Sequence, residues 1–125
     1  MQNFKRNKNC YFLKNYYIRR NSYTHFVDLG NKDEWQDNVY KISKRILEKI
    51  GGKSVLDIGC GSGYKLDKYF KEDDTIGLEL ESNLTFLRSK YPRKKWEISD
   101  FKKKCKYKTD IVICSDVIEH LIDPD

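Results

Sequence analysis

The segment from residue 55 to residue 63 constrains the fold of this chain more than any other part. Its sequence, VLDIGCGSG, is an apolar run that ends in three closely spaced glycines. A helical pattern follows, with Leu66, Tyr69 and Phe70 on one side. This order predicts a strand, a tight loop and a helix, which is how a nucleotide-binding α/β unit begins. Glycine has no Cβ, so the loop backbone can turn sharply and approach a ligand closely.

The glycine spacing and the acid before it narrow the class of ligand. A dinucleotide fingerprint has the pattern G-x-G-x-x-G, whereas here Tyr64 stands in the place of the last glycine. Asp57 would repel a pyrophosphate but suits a ligand with positive charge. S-adenosylmethionine carries a sulfonium and an amino group and no phosphate. The stretch VLDIGCGSGY closely resembles the first motif of the Rossmann-like, class I S-adenosylmethionine-dependent methyltransferases. Taken alone, the glycines are equally compatible with an ordinary strand-to-helix turn.

Apolar runs along the rest of the chain predict an α/β fold. The four expected strands are Ser54–Ile58, Thr75–Glu79, Trp96–Ile98 and Ile111–Cys114, with helices between them. The last of these is a continuous apolar run, which is typical of a strand buried on both faces. We therefore expect a Rossmann-like, doubly wound parallel sheet in the order 3-2-1-4 with helices on both faces. Residues 1–30 are interpreted as an irregular aromatic and basic lead-in, and residues 31–125 as the domain.

Three helices outside the glycine unit are also predicted. The first is capped by Asn31 or Asp33, ends at Gly51-Gly52, and covers the sheet with an apolar stripe of Trp35, Val39, Ile42, Ile46 and Ile50. The second is capped by Ser82 and stopped by Pro92. The third begins near Asp116. The methyltransferase resemblance makes Trp35, Gln36 and Tyr40 candidates for closing the cofactor site, although core packing is favoured for Trp35.

Candidate cofactor-binding residues follow from the carboxyl ends of the strands, where open parallel sheets bind their ligands. The first strand delivers Asp57 and the loop residues Gly59, Cys60, Gly61 and Gly63. Glu79 ends the second strand twenty positions after Gly59, the spacing of an acid that binds ribose hydroxyls. The resemblance implies that Asp100 accepts from the adenine amino group. It also places Leu80 and Phe101 beside the adenine ring, and Ser115 and Asp116 near the reactive methyl.

The end of the chain bears on catalysis. The stretch DIVICSDVIEHLIDP resembles the D-x-V-x-x-x-x-V-x-E-H-x-x-D-P segment of small-molecule methyltransferases, including ubiquinone-pathway O-methyltransferases. This implies methyl transfer to a small-molecule acceptor at oxygen. The helix from Asp33 to Ile50 is similar to methyltransferase domains found alongside sugar-modifying enzymes, which implies a glycan-like acceptor. His120 is the candidate base, together with Asp116, because its ordinary pKa lies near neutrality. An equally weighted alternative is that Glu119 and His120 only orient the loop. Asp116, Glu119 and His120 also match a divalent-metal constellation of some relatives, on one helical face.

Charge and composition bear on partners and compartment. The net charge is +6, with basic runs at residues 93–95 and 102–104. No RNA-binding signature accompanies these runs, so the pattern favours an ordinary solvated surface over nucleic-acid binding. No apolar run is long enough to span a bilayer. The four cysteines lack C-x-x-C spacing, which favours reduced thiols in a cytoplasmic protein without a zinc site.

Two further functional classes compete with the methyltransferase. A nucleotide-linked oxidoreductase shares the gross fold, but Tyr64 and Asp57 argue against it. The other is a non-catalytic or truncated S-adenosylmethionine-binding module. The resembled family has seven strands in the order 3-2-1-4-5-7-6, and this sequence accounts for four. We therefore expect an N-terminal fragment in which the fourth strand is an open edge.

Overall fold

The computed structural model describes Lys14 and residues 36–100, 103–115 and 117–122. Helix α1 spans Asp37–Lys49, and strand β1, Ser54–Ile58, is followed by helix α2, Tyr64–Tyr69. Strand β2, Asp74–Glu79, leads to helix α3, Glu81–Lys90, and to strand β3, Lys95–Ile98. Strand β4, Ile111–Cys114, precedes a 3₁₀ turn at Ile118–His120. The four strands lie within one residue of their predicted bounds.

The strands form one parallel sheet in the order β3-β2-β1-β4. This confirms the predicted Rossmann-like class and strand order. Ile58 lies opposite Leu78 and Cys114, so the carboxyl ends of the three adjacent strands meet at one edge. The Asp110 carboxylate accepts hydrogen bonds from the Lys53 and Ser54 N–H groups at 2.8 and 2.9 Å. These bonds tie the start of β4 to the start of β1 and fix their register.

The core lies between the sheet and the three described helices. Because side chains alternate along a strand, Val55, Ile113 and Trp96 point to the same face of the sheet. They pack with buried helix side chains from α1, α2 and α3, namely Tyr40, Leu47, Leu66, Leu84 and Leu87. All three described helices therefore cover one face. In the described part of the chain, no helix is long and apolar enough to cross a bilayer.

Helix α1 is rotated relative to the sequence prediction. Gly51 ends it as expected, with φ 67° and an N–H bonded to the Glu48 carbonyl. The predicted covering stripe, however, is exposed by 40–57% at its four described positions, Val39, Ile42, Ile46 and Ile50. Tyr40 and Leu47 are buried instead. This rotation lets Lys44 donate to Asp73 at 2.7 Å. The predicted caps and Trp35 lie outside the described residues.

Three other local predictions are wrong. Val112 is 58% exposed and Cys114 is also exposed, so β4 is buried on one face and not on both. The helix expected near Asp116 is a single 3₁₀ turn, so the argument from helical spacing fails there. Helix α3 begins at Glu81 after Leu80 and has no side-chain cap at its start, so Ser82 is not its cap. β4 is a terminal strand of the described sheet, as expected.

Candidate cofactor-binding edge

The glycine loop joins β1 to α2 by a left-handed backbone path. Gly59, Gly61 and Gly63 have φ values of 71°, 58° and 72°, which only glycine adopts easily. A Cβ on Gly63 would stand 2.7 Å from the Trp96 ring, whereas one on Gly61 would have no atom within 4 Å. Gly63 is therefore required for packing. Gly61 leaves open space over the loop, on the side that a ligand can approach.

Asp57 is almost completely buried beneath this loop, with 1% of its surface exposed. The Tyr40 hydroxyl donates to its Oδ2 at 2.8 Å, while its Oδ1 has no hydrogen-bond partner among the described residues. Burial raises the pKa of Asp57 to about 7, the Tyr40 bond opposes this rise, and nearby Glu79 adds to it. An acid at the foot of the loop with one unsatisfied oxygen is a candidate for a cationic ligand.

Glu79 lies at the end of β2, directly against the glycine loop. Its Oε2 accepts from the Gly61 N–H at 2.7 Å and its Oε1 from the Leu80 N–H at 2.8 Å. Burial raises its pKa, and these two N–H donors and the Asn83 side chain oppose the rise. A carboxylate has about four lone-pair sites, so accepting capacity remains after three donors. The chain thus brings the predicted ribose acid and the glycine loop into direct contact.

The predicted residues of β3 and β4 lie at the same edge but are more exposed. The Ser99 N–H donates to the Glu79 carbonyl at 2.9 Å, which places Asp100 just beyond β3. The Asp100 side chain is 36% exposed, with Lys103 Nζ 3.4 Å away. Leu80 and Ser115 are half-buried, and Cys60 is buried with a raised thiol pKa. Phe101 and Asp116 lie outside the described residues, so their placement stays a prediction.

The candidate catalytic turn is tied together through its backbone. His120 donates its N–H to the Val117 carbonyl, and its own carbonyl accepts from the Lys14 N–H at 3.0 Å. His120 Nε2 stands 3.9 Å from the Glu119 carboxylate. Among the described residues, no group of three His, Cys, Asp or Glu side chains could hold a metal ion. Because Asp116 is not among them, the metal hypothesis stays untested.

Sequence reasoning missed two supporting side chains. The Trp96 ring packs against Gly77, where any Cβ would collide with it, and the same ring borders Gly63. A glycine in the middle of a strand is a signal of such close packing. Asn83 is 2% exposed and hydrogen-bonds Glu79 through its side chain, while its Oδ1 has no partner among the described residues. Both residues hold the predicted binding groups in place.

A cavity of about 850 Å³ opens beside this edge of the sheet. Of the predicted cofactor residues, it touches Asp100 alone. Its walls come from strand residues such as Ile58 and Leu78, from α3, and from the loop after β3. The cavity is therefore separate from the glycine loop, although both lie at the carboxyl ends of the strands.

Comparison with known proteins decides between the competing nucleotide-binding families. A family model described as "Methyltransferase domain" matches residues 23–125. The chain belongs to this methyltransferase domain family. The assignment confirms the prediction of a class I, S-adenosylmethionine-dependent methyltransferase domain. It removes the basis for the oxidoreductase alternative.

Curated relatives of this methyltransferase domain include the tRNA U34 carboxymethyltransferases of Campylobacter jejuni strains 81-176, NCTC 11168 and RM1221. Each is 32% identical over 108 residues. The match covers 78% of this chain and 37% of each relative. The chain therefore spans little more than a third of the length of these relatives.

Solved structures show the same fold. DesVI of Streptomyces venezuelae is 27% identical with a TM-score of 0.56, and the match covers 73% of this methyltransferase domain and 40% of DesVI. The S-adenosylmethionine-bound amino pentose methyltransferase CalS10 of Micromonospora echinaspora is 23% identical, with a TM-score of 0.57 and coverage of 72% and 40%. The sugar N-methyltransferase KedS8 of Streptoalloteichus is also 23% identical, with a TM-score of 0.56 and coverage of 72% and 38%. Because CalS10 and KedS8 are only 23% identical to this chain, their likeness supports the shared fold and no further property.

Proposed function

We propose that this chain forms the cofactor-binding part of an enzyme that transfers a methyl group from S-adenosylmethionine to a small-molecule or glycan-like acceptor, at oxygen. One observation carries the proposal. The Glu79 carboxylate at the end of β2 accepts from the Gly61 N–H at 2.7 Å, beside a loop whose backbone only glycine adopts easily. This contact builds one ligand-facing surface from two strands.

The side chains at this edge suit the parts of the cofactor. Glu79 keeps accepting capacity for ribose hydroxyls, and the unsatisfied Oδ1 of Asp57 suits a positively charged group. The space over Gly61 admits a ligand against the backbone. In this proposal Asp100, Leu80 and Phe101 surround the adenine, and Cys60 and Ser115 complete the wall. When bound, S-adenosylmethionine supplies an electrophilic methyl group on a sulfonium.

The chain's main catalytic task is then to orient the acceptor in line with the methyl–sulfur bond. We assign His120 the removal of the acceptor hydroxyl proton as the new oxygen–carbon bond forms and the methyl–sulfur bond breaks. The imidazole is half-buried and its Nε2 stands 3.9 Å from the Glu119 carboxylate, which supports a fixed orientation of the ring for this role. Asp116 would act beside it.

A nucleic-acid acceptor is a second candidate. The curated relatives are named as tRNA-modifying enzymes, and a lysine-rich loop borders the cavity at the same edge. The two proposals differ only in the acceptor, and the cofactor residues keep the same roles in both.

Calorimetry with S-adenosylmethionine tests the proposal. Glu79→Gln removes the negative charge while nearly preserving shape, and it should weaken binding by about 1–3 kcal/mol. Glu72→Gln is the matched control, because Glu72 is exposed and follows α2 near the opposite edge of the sheet. Equal affinities for the parent chain and both variants would remove Glu79 from the cofactor site.

A further inference from the structure

The segment after β3 concentrates positive charge at the carboxyl edge of the sheet. We call residues 103–108 the lysine loop. It has the sequence KKCKYK, with four lysines and no acid. All four lysines are exposed, and Tyr107 is half-buried. The loop therefore presents a dense row of cations without neutralising acids of its own.

Tyr107 is held among these cations. The ammonium groups of Lys95 and Lys106 stand 5.3 and 5.2 Å from its ring centroid. Both distances lie within the range of cation–π attraction. The ring is also part of the cavity wall. An aromatic surface is thus fixed where the basic row meets the cavity.

The cavity connects the lysine loop to the carboxyl edge of the sheet. Lys103, Lys104, Lys106 and Tyr107 form one side, and Arg88 of α3 adds a further cation. The carboxyl-end residues Ile58, Leu78 and Ser99 also line the cavity. A volume of about 850 Å³ lies within the range of small-molecule sites, which is enough for one nucleotide.

We propose that the lysine loop and this cavity bind single-stranded nucleic acid. Phosphates lie along Lys103, Lys104 and Lys106, and one base enters the cavity against Tyr107. Lysine contacts with phosphate position a strand without reading its sequence, and aromatic rings stack on any base. This inference rests on the cofactor site of the proposed function and on its second candidate acceptor. It replaces the small-molecule acceptor by the base or ribose of the inserted nucleotide.

The acids of the cavity support this orientation. Glu81, Glu97 and Asp100 line it alongside the cations. They disfavour a phosphate within the cavity but accept hydrogen bonds from a base or sugar. A flat anionic membrane could contact the lysine loop but would not enter the cavity. Under this proposal the lysine loop is a binding surface and differs from the ordinary solvated surface that the basic runs predict.

A fluorescence anisotropy titration of the full 125-residue chain with a labelled single-stranded RNA of about fifteen nucleotides tests the proposal. The test variant combines Lys103→Ala, Lys104→Ala and Lys106→Ala. The control combines Lys49→Ala, Lys71→Ala and Lys90→Ala. These control lysines are exposed and precede β1, β2 and β3, near the opposite edge of the sheet. Both variants lose the same charge.

The loop variant should bind RNA at least about tenfold more weakly, and its log–log salt slope should fall by about 2 because three phosphate contacts are lost. The control should stay within about twofold. Tyr107→Ala should weaken binding by about tenfold, while Tyr107→Phe, which keeps the ring, should not. Equal losses in the loop variant and the control, or no RNA binding by the parent chain, would overturn the proposal.

Two parallel measurements separate the possible failures. Calorimetry with S-adenosylmethionine should give the same affinity for the parent chain and for a variant with Lys104→Ala and Lys106→Ala. Lys103 is retained in that variant because it pairs with Asp100. If the parent chain binds RNA through the loop but not the cofactor, the proposed function fails and the nucleic-acid surface stands. Loop-dependent binding to phosphatidylserine vesicles without RNA binding would instead assign the loop to membranes and overturn the proposal.

Discussion

The affinity for S-adenosylmethionine should depend on pH through Asp57. Burial raises the pKa of this acid to about 7, so the carboxyl is mostly protonated at pH 6 in the free chain. A cationic ligand group requires the ionised form. Removing the proton costs about 1.4 kcal/mol at pH 6 and about 0.1 kcal/mol at pH 8. The dissociation constant should therefore be about tenfold higher at pH 6 than at pH 8.

Calorimetry in buffers of different ionisation enthalpy measures how many protons are released when S-adenosylmethionine binds. About 0.9 proton should leave Asp57 on binding at pH 6, and about 0.1 at pH 8. Asp57→Asn should remove this linkage. Tyr40→Phe deletes the hydroxyl that donates to the carboxylate at 2.8 Å, so it should move the transition up by about one pH unit. A parent chain with pH-independent affinity and no proton release between pH 6 and 8 would refute the argument.

The same raised pKa affects folding stability. In the unfolded chain Asp57 has its ordinary value of 3.8, so the folded chain holds the proton more tightly. Its contribution to stability is therefore fully present below about pH 4 and is lost as the pH rises to about 7. Three pKa units set an upper limit of about 4 kcal/mol. Urea unfolding of the free chain should show Asp57→Asn losing less stability than the parent over this interval.

Three further perturbations test other parts of the account. Gly63→Ala should lower the free energy of unfolding by about 1–3 kcal/mol more than Gly61→Ala, as measured by urea unfolding. Both glycines have positive φ, but only Gly63 borders Trp96. Similar losses would show that Trp96 moves aside. His120→Ala should slow transfer of a radiolabelled methyl group to a hydroxyl acceptor by about two to four orders of magnitude and leave cofactor affinity nearly intact. Unchanged transfer would return His120 to a structural role. Chelation should leave transfer unchanged if His120 is a base, and abolition of transfer would support the metal set of Asp116, Glu119 and His120.

Sequence alone predicted the sheet because each strand carries a local signal. The β1 run ends in closely spaced glycines, which predict a tight turn. β2 ends in Glu79, twenty positions after Gly59, which is the spacing of a ribose-binding acid. Parallel order then follows from right-handed crossovers between strands joined by helices. The contact between Glu79 and Gly61 is a consequence of this order, which is why sequence alone could bring the candidate acid and the candidate loop to one edge of the sheet.

Long-range pairs explain what sequence reasoning could not predict. Helix α1 has two possible apolar faces. The apolar periodicity predicted burial of the face that contains Ile42 and Ile46, and both side chains are exposed. The Tyr40–Asp57 bond and the Lys44–Asp73 ion pair favour the other face, and neither pair is visible locally. The turn at Ile118–His120 was predicted as a helix because its apolar spacing fits one, but it spans three residues only. The cofactor roles of individual side chains stay predictions.

Direct titration with S-adenosylmethionine and, in parallel, with NAD tests the central claim. The buried Trp96 beside the glycine loop provides an intrinsic fluorescence signal for both titrations. We expect saturable S-adenosylmethionine binding that Glu79→Gln weakens, with no saturable response to NAD. Saturable NAD binding without S-adenosylmethionine binding would contradict it.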